Sequence, residues 1–227
     1  EKYPQAPEAA EARKALAGLF DAVTDPAQLA AALRNAPPAE RARGNLRLAR
    51  LYLVGKKYQE AQAPLNEVLK AQPPAEVAGE AQYLLGLALE AQEKPGPAAA
   101  AFAEAVRQAP KSDWVIDAHG RLAWLYLDLK QATNAEKAAL AVLAAKPEMD
   151  AERQARLALV QALIDQEKWD AALDGCKALL AANPPAETVA TVIYTQAWVH
   201  EKRAKPEEAL PLWERLAAEH PTSPYAP

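Results

Sequence analysis

Several residue types are scarce in this chain of 227 residues, and each scarcity excludes a class of protein. There is one cysteine, Cys176, so no internal disulfide can form. No stretch of about 18 consecutive apolar residues occurs, so we expect no segment inserted in a membrane. Eight glycines and few β-branched runs argue against a sheet. The net charge of −4 provides no basic surface for nucleic acid.

Alanine and proline are abundant instead, with 56 and 19 residues. Alanine is the best helix former, and proline marks the ends of helices. Five prolines follow one another at intervals of 37 residues, and five alanines do the same, each twelve residues before its proline. The prolines are Pro73, Pro110, Pro147, Pro184 and Pro221, and the alanines are Ala61, Ala98, Ala135, Ala172 and Ala209. Such a period predicts a solenoid built from repeated units.

The stretch 79–110 shows the unit most clearly. Apolar residues at helical spacing predict two helices, separated by a break at 93–96. Neither helix is long enough to be stable alone in water, so the pair must bury its apolar stripe against its neighbours. We expect small residues where the two helices approach, with Gly86 packed against Ala98.

These residues resemble the tetratricopeptide repeat (TPR), whose signature is W-x2-L-G-x2-Y, then A-x3-F, then P. The unit 79–110 carries Leu85-Gly86, Ala98-x3-Phe102 and Pro110 in that order. The chain departs from the family in its period of 37 rather than 34 residues. It also departs at the opening aromatic, which is replaced by Asn45, Gln82, His119, Arg156 and Ile193.

The resemblance implies an all-α fold, a right-handed α-solenoid of antiparallel helix pairs. We expect one solenoid over 1–227, with an irregular pair at 1–38, five repeats over 39–221 and the start of a further repeat at 222–227. We expect the chain to be a section of a longer bacterial array. The predicted helices are 6–23, 26–35, 39–54, 58–71, 75–92, 97–109, 112–130, 133–146, 149–166, 169–182, 186–203 and 206–219.

Residues that could carry chemistry are scattered. The three histidines do not have metal-ligand spacing, no glycine-rich loop precedes a helix, and Cys176 has no evident base partner. The sequence therefore predicts no catalytic residue, no metal site, no cofactor and no enzymatic activity.

The resemblance implies that the first helices line a concave groove that binds a peptide or partner protein. One groove column holds Arg50, Leu87, Trp124, Gln161 and Trp198, and a second holds Leu46, Tyr83, Gly120, Leu157 and Tyr194. The first column is normally polar, so Trp124 and Trp198 are its main anomaly. They either anchor a partner or pack between neighbouring helices, and both alternatives are open at this point.

A second candidate feature is cationic. Arg43, Arg47 and Arg50 share one helix face and would suit an acidic part of a partner. The predicted partner-binding residues are thus Arg43, Arg47, Arg50, Tyr83, Leu87, Trp124, Tyr194 and Trp198. The alternative function is a structural spacer or self-associating section of an array, joined end to end.

The location of the protein is left open. Short strings near both ends of the sequence resemble those of bacterial periplasmic TPR proteins, which suggests the cell envelope, and a cytoplasmic location is the alternative.

Overall fold

A computed structural model describes residues 11, 15, 18 and 22–225 of the chain. The described residues contain helices and turns and no β-strand. The helices are α1 Pro26–Leu33, α2 Pro38–Val54, α3 Tyr58–Lys70, α4 Ala75–Glu90, α5 Pro95–Gln108, α6 Val115–Asp128, α7 Ala132–Ala144, α8 Met149–Asp165, α9 Trp169–Ala181, α10 Ala186–Lys202 and α11 Pro206–Glu219. The predicted helix 6–23 lies almost wholly outside the described residues, as do the last two positions of the predicted further repeat.

The chain divides into two compact units, Glu1–Ala118 and His119–Pro227. In the first unit, α2 packs on α3, α3 on α4 and α4 on α5, and α2 also contacts α4. In the second unit, α7 packs on α8, α8 on α9, α9 on α10 and α10 on α11. From α1 to α5 and from α7 to α11, each helix thus packs on the next helix in the sequence, and the fold is an all-α solenoid of helix pairs.

The repeated alanines lie in the core of the structure. Ala61, Ala98, Ala135 and Ala172 are fully buried, and Ala209 is 2% exposed. A small side chain at this buried position lets two helix backbones approach closely.

The turn between the two helices of a pair contains a residue with positive φ. Lys56, Glu93, Lys130, Glu167 and Ala204 have φ between 55° and 59° and recur every 37 residues. In each turn, the next residue donates its N–H to the carbonyl oxygen five positions earlier, as Lys57 does to Tyr52 at 2.8 Å. This is the Schellman motif that ends many helices, here without glycine at its left-handed position.

One sequence expectation is corrected. The helix predicted to begin at 112 begins at Val115, because residues 110–114 form turns in which the Ser112 N–H donates to the Ala109 carbonyl oxygen at 3.2 Å. A β-carbon built at Gly86 would be 2.7 Å from the Phe102 ring, so the glycine makes room for that side chain.

Candidate functional site

Of the two tryptophans predicted to line the groove, Trp124 is more exposed than Trp198. It lies on α6 in the second unit and is 41% exposed, whereas its neighbours Leu122, Ala123 and Leu125 are buried. Gly120 lies one turn earlier, and a β-carbon built there would meet no atom within 4 Å. The α6 surface around Trp124 therefore offers an exposed ring with free space beside it.

Trp198 occupies the same column on α10 but has a different environment. Its ring packs on Trp169 of α9, with centroids 6.1 Å apart at 59°, and it borders a buried apolar cluster. The Lys202 ammonium lies 5.1 Å from its ring centroid. Trp198 is half-buried and contributes to helix packing.

Gln161 stands between the two tryptophans in the column. It is exposed, and its amide donates to Asp165 on the same helix at 2.8 Å. The column in the second unit thus contains one exposed ring, one solvated amide and one packed ring.

Tyr83 and Tyr194 lie in equivalent aromatic clusters. Tyr83 stacks on Trp114 at 4.9 Å and contacts Phe102, and its hydroxyl donates to Asp117 at 2.8 Å. Three repeats later, Tyr194 packs on Tyr225 at 4.8 Å and on Trp213 at 5.4 Å. These clusters join a helix pair to the turn that follows it. The sequence analysis missed this regularity because two of the three rings change type, Phe102 to Trp213 and Trp114 to Tyr225.

Leu87 is half-buried against an apolar cluster formed by α2, α3 and α4, in which Leu46 and Leu65 are buried. Its side chain therefore contributes to packing within the first unit.

The arginines of α2 separate into two groups. Arg43 and Arg50 line an open groove of about 720 Å³ in the first unit, together with Leu46, Val77 and Glu80. Arg50 forms an ion pair with Glu80, and both Arg43 and Arg50 are exposed. The groove combines an apolar floor with a cationic rim.

Arg47 is not among the residues that line this groove. Its guanidinium donates from Nη2 to the Val23 carbonyl oxygen at 3.0 Å, and its Nε donates to the same oxygen at 3.3 Å. Arg47 therefore fixes the segment before α1 to α2. The helical spacing of the three arginines alone could not show that a carbonyl oxygen already binds the middle one.

Groups that could support catalysis are few. Burial raises the pKa of the Cys176 thiol to about 12, so the thiol stays protonated and unreactive at neutral pH. Burial lowers the pKa of the His119 imidazole below its usual value. Among the described residues, no three histidine, cysteine or acidic side chains are grouped so that they could hold a metal ion. Within the same residues, none of the helices has both the length and the hydrophobicity that a membrane crossing requires.

Taken together, the successive helix pairs define an α-solenoid. Sequence profiles of the tetratricopeptide repeat match residues 46–113, 116–149 and 191–223, which together cover more than half of the chain. The chain belongs to the tetratricopeptide repeat family. Proteins of this family are generally scaffolds without enzymatic activity. The repeats of this chain and its structural neighbours support a protein-interaction scaffold.

Solved structures share the fold at low sequence identity. YrrB, described as a TPR protein with an unusual peptide-binding site, aligns with a TM-score of 0.69 and 19% identity over 82% of this chain and 89% of its own. A MamA structure labelled AMB-1 aligns with a TM-score of 0.62 and 20% identity over 78% and 98% of the two chains. MamA from Desulfovibrio magneticus RS-1 aligns with a TM-score of 0.64 and 17% identity over 81% of this chain and 97% of its own. No curated protein sequence matches the chain significantly.

Proposed function

We propose that this scaffold binds a peptide segment of a partner protein, with Trp124 as its anchor. The observation that carries the proposal is the exposure of the Trp124 ring on a helix whose neighbouring apolar residues are buried. A folded protein gains stability by covering an aromatic ring, so an exposed ring in a groove column is available for a partner. Aromatic anchors of this kind dominate the energetics of many interfaces.

The space beside Gly120 supports the same proposal. A binding pocket needs room for the side chain of the partner next to the anchor ring, and the α6 backbone at Gly120 leaves that room. An apolar partner residue placed there would contact the Trp124 ring and the α6 backbone together.

The groove lined by Arg43 and Arg50 supports a second contact with the same kind of ligand. Leu46 and Val77 would cover an apolar side chain of the peptide, and the guanidinium groups would pair with its carboxylates. The Arg50–Glu80 ion pair is exposed, so a carboxylate of the partner could replace Glu80 at small cost. Exposed charges of this kind affect the association rate and orientation more than the affinity.

A peptide-display library provides the test. Peptides are selected on the folded chain and then counter-selected on Trp124→Ala. We expect apolar peptides with acidic residues, and we expect Trp124→Ala to weaken their binding by about 2 kcal/mol or more. Leu140→Ala is the matched control, because Leu140 is 47% exposed on α7 and belongs to neither site.

The alternative function is a spacer or a self-associating section of a longer array. In that case the library yields no peptide whose binding depends on Trp124. Sedimentation would then show oligomers that grow with concentration and do not change when Trp124 is replaced.

A further inference from the structure

A small cavity lies beside the first turns of α8, in the second unit. It has a volume of about 60 Å³, which is enough for a few water molecules or one small apolar group. Its lining includes Leu179 of α9, which is 1% exposed, and Met149, which is 77% exposed. The segment 182–185 closes one side. The cavity is therefore formed by two packed helices and the turn that follows them, and it leads from solvent to a buried leucine.

The next repeat fills the same place with apolar side chains. Ile193 and Leu216 lie 37 residues after Arg156 and Leu179, and both are fully buried in one cluster. In the repeat that contains the cavity, Arg156 takes the position of Ile193. The fold thus accommodates a branched aliphatic side chain at this place, and α8 leaves the space without one.

Charged side chains of α8 surround the space. Glu152, Arg153 and Arg156 line it, so the lining carries two positive charges and one negative charge. Arg156 donates from Nε and Nη2 to Glu152 at 2.9 and 2.7 Å, and the Arg153 Nη1 lies 2.8 Å from Asp150. The two carboxylates are 40% and 83% exposed, so these ion pairs are weak. Because a guanidinium has five N–H donors, both arginines retain donors for a further carboxylate.

We propose that this cavity binds a branched aliphatic group with a carboxylate beside it. The aliphatic group rests on Leu179, in the place that Ile193 fills one repeat later, and the carboxylate pairs with Arg153 and Arg156. A free short-chain acid and a leucine next to an acidic residue of a partner protein present the same chemistry. The cavity shares no residue with the surface around Trp124, so the inference does not depend on the proposed function.

The chain supplies its own reporter, because Met149 is its only methionine and lines the cavity. Protein that is isotope-labelled in the methionine methyl group gives one NMR signal, which is followed while isocaproate is added. We expect a saturable shift with a dissociation constant on the order of 1 mM, since the ligand is small. Isohexyl alcohol has the same branched chain without the charge, and acetate has the charge without the chain. Each should bind about tenfold more weakly than isocaproate.

Variants of Arg156 test the site directly. Arg156→Ile copies the next repeat and should fill the cavity, so isocaproate should no longer shift the signal. Arg156→Gln removes the charge and keeps a polar side chain, and it should weaken binding about tenfold. This second variant provides the test if isoleucine disturbs folding, which circular dichroism checks for each protein.

Arg215→Ile is the matched control. Arg215 also pairs with a glutamate four residues away on its own helix, at 2.9 Å, and it is not among the residues that line the cavity. Its replacement removes the same charge and the same kind of ion pair, and it should leave the titration unchanged.

A second titration separates the two sources of the ligand. A peptide with leucine next to glutamate at its centre, and with both ends blocked, presents the same groups within a polypeptide. Tighter binding of this peptide than of isocaproate would identify a partner protein as the source, and tighter binding of isocaproate would identify a free acid.

Four results would overturn the inference. The first is a Met149 signal that does not reach saturation with either ligand, and the second is unchanged binding in Arg156→Ile. The third is equal binding of isocaproate and isohexyl alcohol, which would remove the role of the arginines. The last is an equal loss of binding in Arg215→Ile, which would indicate a general effect of charge on the chain.

Discussion

Trp124 and Trp198 occupy the same position of the repeat, 74 residues apart, and yet have different surroundings. The ring of Trp198 packs on Trp169 beside a buried apolar cluster, and the ring of Trp124 is 41% exposed. In a solenoid, the position in the repeat determines the side of the helix on which a residue lies. It does not determine whether a neighbouring side chain covers that residue, and this second factor separates a packing residue from a candidate anchor.

The largest expected effect comes from removing the packed ring. Trp198→Ala should lower the free energy of unfolding by about 3 kcal/mol, because the contact with Trp169 is lost and a cavity is left. Trp124→Ala should cost about 1 kcal/mol or less, since much of that ring is already in water. Urea denaturation of both variants measures the difference. Equal losses would show that the two rings are equally packed and would remove Trp124 as an anchor.

Gly86 and Gly120 allow a second comparison between a packed and an open helix surface. Gly86→Ala should cost about 1–3 kcal/mol, because the new methyl group would collide with the Phe102 ring. Gly120→Ala should instead stabilise the protein by up to about 1 kcal/mol, because alanine favours the helix and the space beside Trp124 is free. Thermal unfolding of the two variants would show shifts of opposite sign. A loss of stability in Gly120→Ala would mean that this space is occupied.

The helices could be predicted closely from the sequence because two regular signals agree. Prolines and the periodic alanines mark helix ends and close contacts, and α2, α3 and α11 follow the predicted ranges to within one residue. The start of α6 was wrong by three residues, since residues 110–114 contain no strong helix breaker after Pro110 and their turn is held by hydrogen bonds between backbone groups.

The environment of the site residues was much less predictable. Helical spacing placed Arg43, Arg47 and Arg50 on one face, and it could not show that the Val23 carbonyl oxygen binds Arg47. Likewise, the sequence identified Trp198 as anomalous without showing that Trp169 covers it. These contacts join residues far apart in the chain or in different helices, so periodicity carries no information about them.

The C-terminal turns of α6 and α10 should respond alike to substitution, although the side chains around Trp124 and Trp198 differ. Lys130 follows α6 and Ala204 follows α10, with φ of 59° and 55°. Glycine adopts this conformation without strain, so Lys130→Gly and Ala204→Gly should each stabilise the protein by about 0.5 kcal/mol. Guanidinium titration of the two variants measures the gain. Clearly unequal gains would show that α6 and α10 differ in their backbone as well as in their covering side chains.

The smallest effect concerns the position where α6 carries His119 and α10 carries the fully buried Ile193. Burial lowers the pKa of His119, and its Nδ1 is buried with no hydrogen-bond partner in the described part of the chain. The unfolded chain therefore takes up a proton at a higher pH than the folded chain does. Stability is fully present above the unfolded pKa of about 6.5, and it falls as the pH drops from there through the folded pKa. His119→Ile, which copies α10, should flatten this part of the stability curve between about pH 7 and pH 5 in urea titrations. Wild type and variant would keep parallel curves if His119 were solvated equally in both states, and α6 would then be open to water on this face as well as at Trp124.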